Sequence, residues 1–352
     1  MADFLIGTDT APMEAKSVDS LPVDGGWQFE PKWDGFRCLV FKAGNRGDLR
    51  EKSGKPLGRY FPEMVRAVRD APAEDFVLDG ELSVPVGETL SFAALQARVH
   101  PAESRILKLA AETPGLLILF DCLATVQAGR LTDAPLRERR AELERVAARI
   151  GRGRRMRVSP FTQDRATAQR WLDDTHGALD GIVAKRIDAP YAPGERTMLK
   201  VKRLRSADCV VGGFRSGKGS HHVGSLLLGL YNSDGKLDHV GFTSAISHAD
   251  RPGLTATLEA LRGGPGFTGD APGGPSRWST ERSTEWQPLR PELVVEVSYD
   301  QVTGGRFRHG TMLRRWRPDK APRQCTREQF QEELRPGRLV EEVLDGASGV
   351  GF

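Results

Sequence analysis

A chain of 352 residues with 39% hydrophobic and 28% charged side chains suffices for one large or two ordinary globular domains and is too apolar for a disordered polymer. Its formal charge of +4 is too mild to require a polyanionic partner by itself. No apolar run approaches the ~20 residues of a membrane helix, residues 1–10 carry no signal-peptide pattern, and Cys38, Cys122, Cys209 and Cys325 stand far apart, so neither a disulfide framework nor a structural zinc cluster is expected, and the cytosol is the expected compartment.

Residues 1–26 are punctuated by Pro, Asp and Gly and read as an irregular lead-in packed on a first domain. Strands are expected at 27–29 and 38–41. Between them lies Glu30-Pro31-Lys32-Trp33-Asp34-Gly35-Phe36-Arg37. Lysine attacks only as the free amine, a form that nearby cations and partial burial favour. Gly35 permits a tight backbone beside a nucleotide, and Arg37 can clamp a phosphate or ribose oxygen. The bland alternative is a strand end bearing a solvated charge cluster. A turn follows at 45–47. Pro62 then opens a helix over 63–70 that buries Met64, Val65 and Val68.

Residues 76–82 read as a strand whose Asp79 and Glu81 straddle Gly80. Glu81 can serve a ribose hydroxyl or a metal; Asp79-Gly80 can equally be a plain turn. A helix is expected at 90–99 and a buried strand at 115–123. Phe120 in that strand is core by default, with a face for adenine as the alternative. A helix over 134–150 puts Leu136, Leu143, Val146 and Ile150 on one face, with residues 137–140 and 142–145 toward water. Trp171 and Leu172 mark a further helix. Asp180 then ends a loop, 182–184 is a strand, and Lys185 leaves at its end. On a strand over 198–203, Lys200 and Lys202 share a face and repel unless an anion lies between them. The alternative is an exposed edge strand guarded by lysines.

Past Arg205 short strand-like runs at 209–214, 225–231 and 293–302 suggest a small antiparallel barrel with nucleic-acid-binding potential. A helix at 250–261 interrupts it, and 263–275 is a Gly/Pro-rich mobile or irregular loop. A last helix is expected at 326–334, with a fraying tail at 338–352. The expected domains are 1–204 and 205–352. Basic residues cluster at Arg152, Arg154, Arg155 and Arg157, at 200–205, and at 306–320, a pattern that favours phosphate-rich ligands.

Taken in order, Lys32-Trp-Asp34-Gly35-Phe-Arg37, Leu78-Asp79-Gly80-Glu81, Phe120-Asp121, Asp180-Gly181-Ile-Val-Ala-Lys185, Lys200-Val-Lys202 and Arg317-Pro-Asp319-Lys320 resemble the collinear motifs of ATP-dependent DNA ligases. Size and tail are most similar to the small stand-alone bacterial type, LigC, and to the ligase domain of LigD. The resemblance implies an α+β fold: an ATP-grasp-like nucleotidyltransferase domain of antiparallel sheets and helices, then an OB-fold barrel. It implies ATP and Mg²⁺ or Mn²⁺ as cofactors, and a monomer acting on nicked duplex DNA with other DNA-repair proteins. Lys32 would take AMP from ATP, pass it to the nick 5′-phosphate, and the 3′-hydroxyl would then displace it. By the same resemblance Asp180 is the metal carboxylate, shared with Glu81. Glu81 also touches the ribose, Phe120 stacks on adenine, and the backbone at Glu30 reads the adenine edge. Lys185, Lys200 and Lys202 hold phosphates, and Arg37 meets the ribose or nick phosphate. Asp34 supports the nick-facing steps. Asp208 matches a hinge, and Arg317, Asp319 and Lys320 serve lysine adenylation.

Two positions depart from the family pattern. Asp180 stands where glutamate is usual, and Lys52 where arginine is usual, with Arg50 as the alternative for that role. An mRNA guanylyltransferase or RNA ligase would share the lysine chemistry. An NAD-dependent ligase is disfavoured by the cysteine spacing and the short chain. A non-catalytic DNA-binding adaptor is disfavoured because competent side chains occupy every expected position.

Overall fold

The computed structural model describes residues 3–87, 89–151, 155–174, 179–202, 204–273 and 285–334. Expectations for Arg152, Arg154 and the tail fall outside them. Two compact units emerge, one within residues 1–203 and one over Leu204–Leu334.

The first unit holds two large sheets and a small two-stranded one, Pro85–Val86 with Thr89–Leu90. The larger runs in the order Met156–Val158, Leu116–Thr125, Phe76–Ser83, Phe36–Ala43, Arg46–Glu51. Its central strands are covered on both faces, which is why they read as nearly continuous apolar runs. Alternation sorts their side chains. Cys38, Val40, Leu78 and Leu119 face helices Pro62–Arg69 and Leu136–Ile150, meeting Met64, Val68, Leu143 and Val146. Leu39, Phe41, Val77 and Leu123 face the other way, against Met13, Tyr191 and Met198. Phe4 and Ile6 pack there too, so the lead-in is anchored on the first unit as expected.

The smaller of the two large sheets has the order Ala15–Ser17, Met198–Val201, Ile182–Arg186, Trp27–Pro31. Trp27, Phe29, Ile182 and Ala184 form a core with Ala168 of helix Arg165–Asp174. Both large sheets are mainly antiparallel, each with one parallel pair at an edge.

Several expectations change. Met198–Val201 is no edge strand, because Ala15–Ser17 covers it. Helix Glu103–Glu112 lies in a stretch left without assignment. Lys185 sits inside its strand and is buried. Arg139 and Arg140 do not face water. Arg139 is 1% exposed and forks onto buried Asp121 at 2.7 and 3.1 Å, while Arg140 donates to the Ser159 carbonyl. The carbonyls of Ala134 and Ala189 also accept from Arg139, which offsets the cost of burying its charge.

The second unit is an antiparallel sheet in the order Leu237–Thr243, Val223–Tyr231, Arg205–Ser216, Val294–Tyr299, Met312–Trp316. A bridge from Thr243 to Thr311 joins its two ends, reinforced by Thr243 Oγ1 donating to the Thr311 carbonyl at 2.8 Å. Bulges in its strands supply the curvature closure needs. Helix Arg251–Glu259 flanks it and buries Leu258. The described part of the Gly/Pro-rich loop, residues 263–273, is irregular but anchored, with Phe267 buried beside Trp286 and His239. The last expected helix is 3₁₀, Arg327–Leu334, and its Phe330 packs on Tyr299 and Phe307. Among the described residues no helix is long and apolar enough to cross a membrane.

Candidate active site

A cavity of about 400 Å³ opens in the first unit and is lined from both sheets. Lys32 enters it just past strand Trp27–Pro31. Its amide donates to the Gly181 carbonyl at 2.8 Å, and its carbonyl accepts from the Asp180 amide at 2.9 Å. This reciprocal pair ties the two loops together. Gly181 is required there: its φ is +134°, and a Cβ would lie 2.0 Å from the Val201 carbonyl oxygen. The result places the Asp180 carboxylate on the Lys32 amine, with Lys202 Nζ at 3.3 Å from the same oxygen. Trp33 is buried and donates to Ser159 Oγ at 2.9 Å, which fixes the loop from behind.

Gly35 presses on strand Phe76–Ser83; a Cβ there would meet the Leu82 carbonyl oxygen at 2.4 Å. The close approach sets Arg37 opposite Glu81 in register. Arg37 forks onto Asp79 with both contacts at 2.6 Å and lies 4.7 Å from the Phe120 ring centroid. Burial alone would lower the Arg37 pKa, but Asp79 outweighs it and holds the guanidinium charged. Tyr191 donates to the same carboxylate at 2.6 Å and accepts from the Met13 amide at 2.9 Å. Burial and Asp79 push its phenol well up, so it stays a neutral donor.

Glu30 has both carboxylate oxygens engaged, by Gln28 Nε2 at 2.7 Å and Lys185 Nζ at 2.8 Å. Lys185 also donates to the Phe120 carbonyl at 3.2 Å and sits 4.5 Å from that ring's centroid. Phe120 therefore carries two cations against its ring. Burial pushes the Glu81 carboxyl up to about 7, against the pull of Lys32 and Arg37. Burial lowers Lys200 as well, and Lys32 and Lys202 add to the effect. Cations crowded this way favour an anion among them.

Glu30, Lys32, Arg37, Lys52, Glu81, Phe120, Lys185 and Lys200 thus share one cavity. Asp180 joins it through Lys32, and Lys202 through Asp180. Asp34, partly buried in the same loop, is felt by Glu81 as a repelling charge. Arg50, the alternative to Lys52, has its guanidinium bound to Asp48 at 2.7 and 2.9 Å and does not line the cavity. Asp208, Arg317 and Lys320 lie in the second unit. There Asp208 accepts from Arg317 at 2.9 Å and Lys320 at 2.7 Å, and Arg317 also holds Asp319.

Sequence reasoning missed Gln28, Tyr191 and Glu14, and treated Asp79 as a bystander of Glu81. Tyr191 had no pattern to flag it. Gln28 stands two places before Glu30 on the same strand, so period two could have paired them.

Among the described residues no three or more His, Cys, Asp or Glu side chains converge as a metal cage. Asp180 and Glu81 instead offer hard oxygen donors beside a cluster of lysines. Each is the kind of donor that Mg²⁺ or Mn²⁺ takes, Asp180 against Lys32 and Lys202 and Glu81 in the cavity wall.

A family described as ATP dependent DNA ligase domain matches residues 12–202, and one described as ATP dependent DNA ligase C terminal region matches residues 219–320. DNA ligase C1 of Mycolicibacterium smegmatis is 46% identical over 343 residues, covering 94% of this chain and 97% of its own. DNA ligase C of Mycobacterium tuberculosis is 43% identical, covering 92% and 94%. A solved Lig E DNA ligase matches with a TM-score of 0.56 at 16% identity, covering 87% of this chain and 99% of that one, and shows the shared fold.

Proposed function

Since the chain belongs to the ATP-dependent DNA ligase family, we propose that its nick-sealing chemistry runs through Lys32, on residues gathered in the first-unit cavity. The Lys32 amine attacks the α-phosphorus of ATP. A nitrogen–phosphorus bond forms, the bond to the β-phosphate oxygen breaks, and pyrophosphate leaves as the amine loses its proton. The adenylyl group then passes to the 5′-phosphate oxygen of a nick, freeing the lysine. The 3′-hydroxyl attacks that 5′-phosphorus, AMP departs, and the strand is closed.

The observation that carries this reading is the Lys32 amine held by Asp180, beside Lys200 and Lys202, at the wall of one cavity. Such transfers depend on positioning and charge neutralisation more than on covalent machinery. Lys200 and Lys202 take phosphate oxygens, Phe120 and the backbone at Glu30 take adenine, and Glu81 takes the ribose. Lys185 acts by fixing Glu30 and Phe120, since its amine is already engaged by both. Arg37 is oriented by Asp79 and meets the ribose or nick phosphate with the edge it does not spend there. Asp34 supports the nick-facing steps. Asp180 and Glu81 would hold Mg²⁺ or Mn²⁺, which offsets the phosphate charge when bound.

Asp208 is the hinge residue, and Arg317, Asp319 and Lys320 serve lysine adenylation. The enzyme works as a cytoplasmic monomer in DNA repair, with domains 1–204 and 205–352. Incubation with labelled ATP, then with nicked duplex, tests the reading. Label should pass from protein to DNA and be released as AMP on sealing, and Lys32→Ala should block the first transfer. An adduct formed from GTP alone would point to capping chemistry instead.

A further inference from the structure

Lys52 lines the cavity, and its partner is Glu14, from the lead-in. The Glu14 carboxylate is 2.9 Å from Lys52 Nζ and 3.5 Å from Arg196 Nε. It is not a loose surface side chain. Its amide donates to the Glu195 carbonyl at 2.7 Å, and its carbonyl accepts from the Met198 amide at 3.2 Å. Glu14 therefore projects from fixed backbone beside the smaller sheet, while Lys52 comes from the turn after strand Arg46–Glu51 of the larger one. The hydrogen bond from Lys52 is the main cause that keeps the Glu14 carboxyl below its ordinary range, so it is ionised at neutral pH. Lys52 is also one of the charges that depress Lys200, which puts it within reach of the phosphate-binding lysines.

We propose that Glu14 is a specificity-determining carboxylate that makes Lys52 a conditional phosphate ligand: an incoming phosphate group must draw Lys52 away from it. The inference rests on the cavity being the ligase site proposed above. Lysine suits this exchange because its ammonium is a point charge on a flexible stem, free to leave one anion for another without a fixed fork to break. Lys52 is 59% exposed, so the pair is screened and its effect small. Arg196 competes for the same carboxylate and keeps the hold on Lys52 partial.

The phosphate can be the ATP triphosphate or the 5′-phosphate of the nick, and binding measurements separate them. One arm titrates α,β-methylene-ATP, which cannot be cleaved. The other titrates enzyme already adenylated with nicked duplex bearing a 5′-phosphate or a 5′-hydroxyl. Glu14→Gln, which keeps the shape and the backbone bonds, should tighten one of these by about two- to fivefold at low salt, less at high salt. Tightening in the first arm assigns the triphosphate. Tightening in the second, confined to the 5′-phosphate duplex, assigns the nick. Either gain should vanish in a Lys52→Ala background. Unchanged affinity in both arms, or a gain that survives Lys52→Ala, overturns the proposal. Adenylation of the parent enzyme, measured alongside, reports separately on whether the cavity is the ligase site.

Discussion

Glu81 shows how a side chain's setting decides its chemistry. Burial holds its carboxyl at about 7, above the 4.5 of an exposed glutamate. A carboxyl raised in the folded state contributes its full stability below about pH 4.5. It loses that contribution as pH climbs to about 7, where the partly buried group ionises. Glu81→Gln should therefore stabilise the protein by about 1–3 kcal/mol at pH 8 and have little effect at pH 4.5. Urea unfolding at the two pH values checks this; equal differences at both would remove the assigned cause. Gly181 is the second residue with a sharp expectation. Gly181→Ala should cost about 1–3 kcal/mol from backbone conformation alone, and adenylation should fall with it because Asp180 moves off Lys32. Retained stability together with retained adduct formation would argue against that constraint. Residues of this kind were legible in the sequence where chemistry is packed into consecutive positions, as in Lys32 to Arg37 or Asp180 to Lys185. Tyr191 and Glu14 were not, because what gives them a role is a partner on a distant strand or turn, at Asp79 and Lys52.

Helix Leu136–Ile150 was placed correctly by its apolar stripe, yet its charged flank was misread. Period 3.6 locates Arg139 beside the stripe, but it cannot reveal that Asp121 waits under it on the neighbouring strand. Removing one partner of a buried pair leaves an uncompensated charge. Arg139→Met should cost about 3–5 kcal/mol, while Asp121→Leu combined with Arg139→Met should recover much of that loss. Denaturant unfolding of the single and double variants decides it; a double variant as unstable as the single would show that packing, not charge, is the cause. Helix Glu103–Glu112 went unseen because its buried side is only Ile106 and Ala110, too thin a stripe to declare a period. Ala15–Ser17 escaped notice for a related reason: a three-residue strand has no alternation to read.

At the scale of the whole molecule, the change of texture after Arg205 announced a barrel, and its best strands were the apolar ones. Leu237–Thr243 and Met312–Trp316 were not recognised as strands, the latter because exposed arginines and polar neighbours mask its pattern. Binding of nicked duplex through phosphate contacts should weaken steeply and linearly in log–log form as salt rises, through release of counterions. A flat salt dependence, measured by fluorescence anisotropy, would speak against phosphate contacts as the main source of affinity. Arg317→Ala should slow formation of the lysine adduct far more than sealing of a nick that already carries AMP, and equal losses in both assays would place Arg317 elsewhere in the cycle. The central claim concerns the Lys32 amine, and mass spectrometry of peptides from protein incubated with ATP and Mg²⁺ addresses it directly. The account predicts one adenylyl group on the peptide containing Lys32, lost again on adding nicked DNA. An adenylyl group on another residue, or none on a preparation that seals nicks, would contradict it.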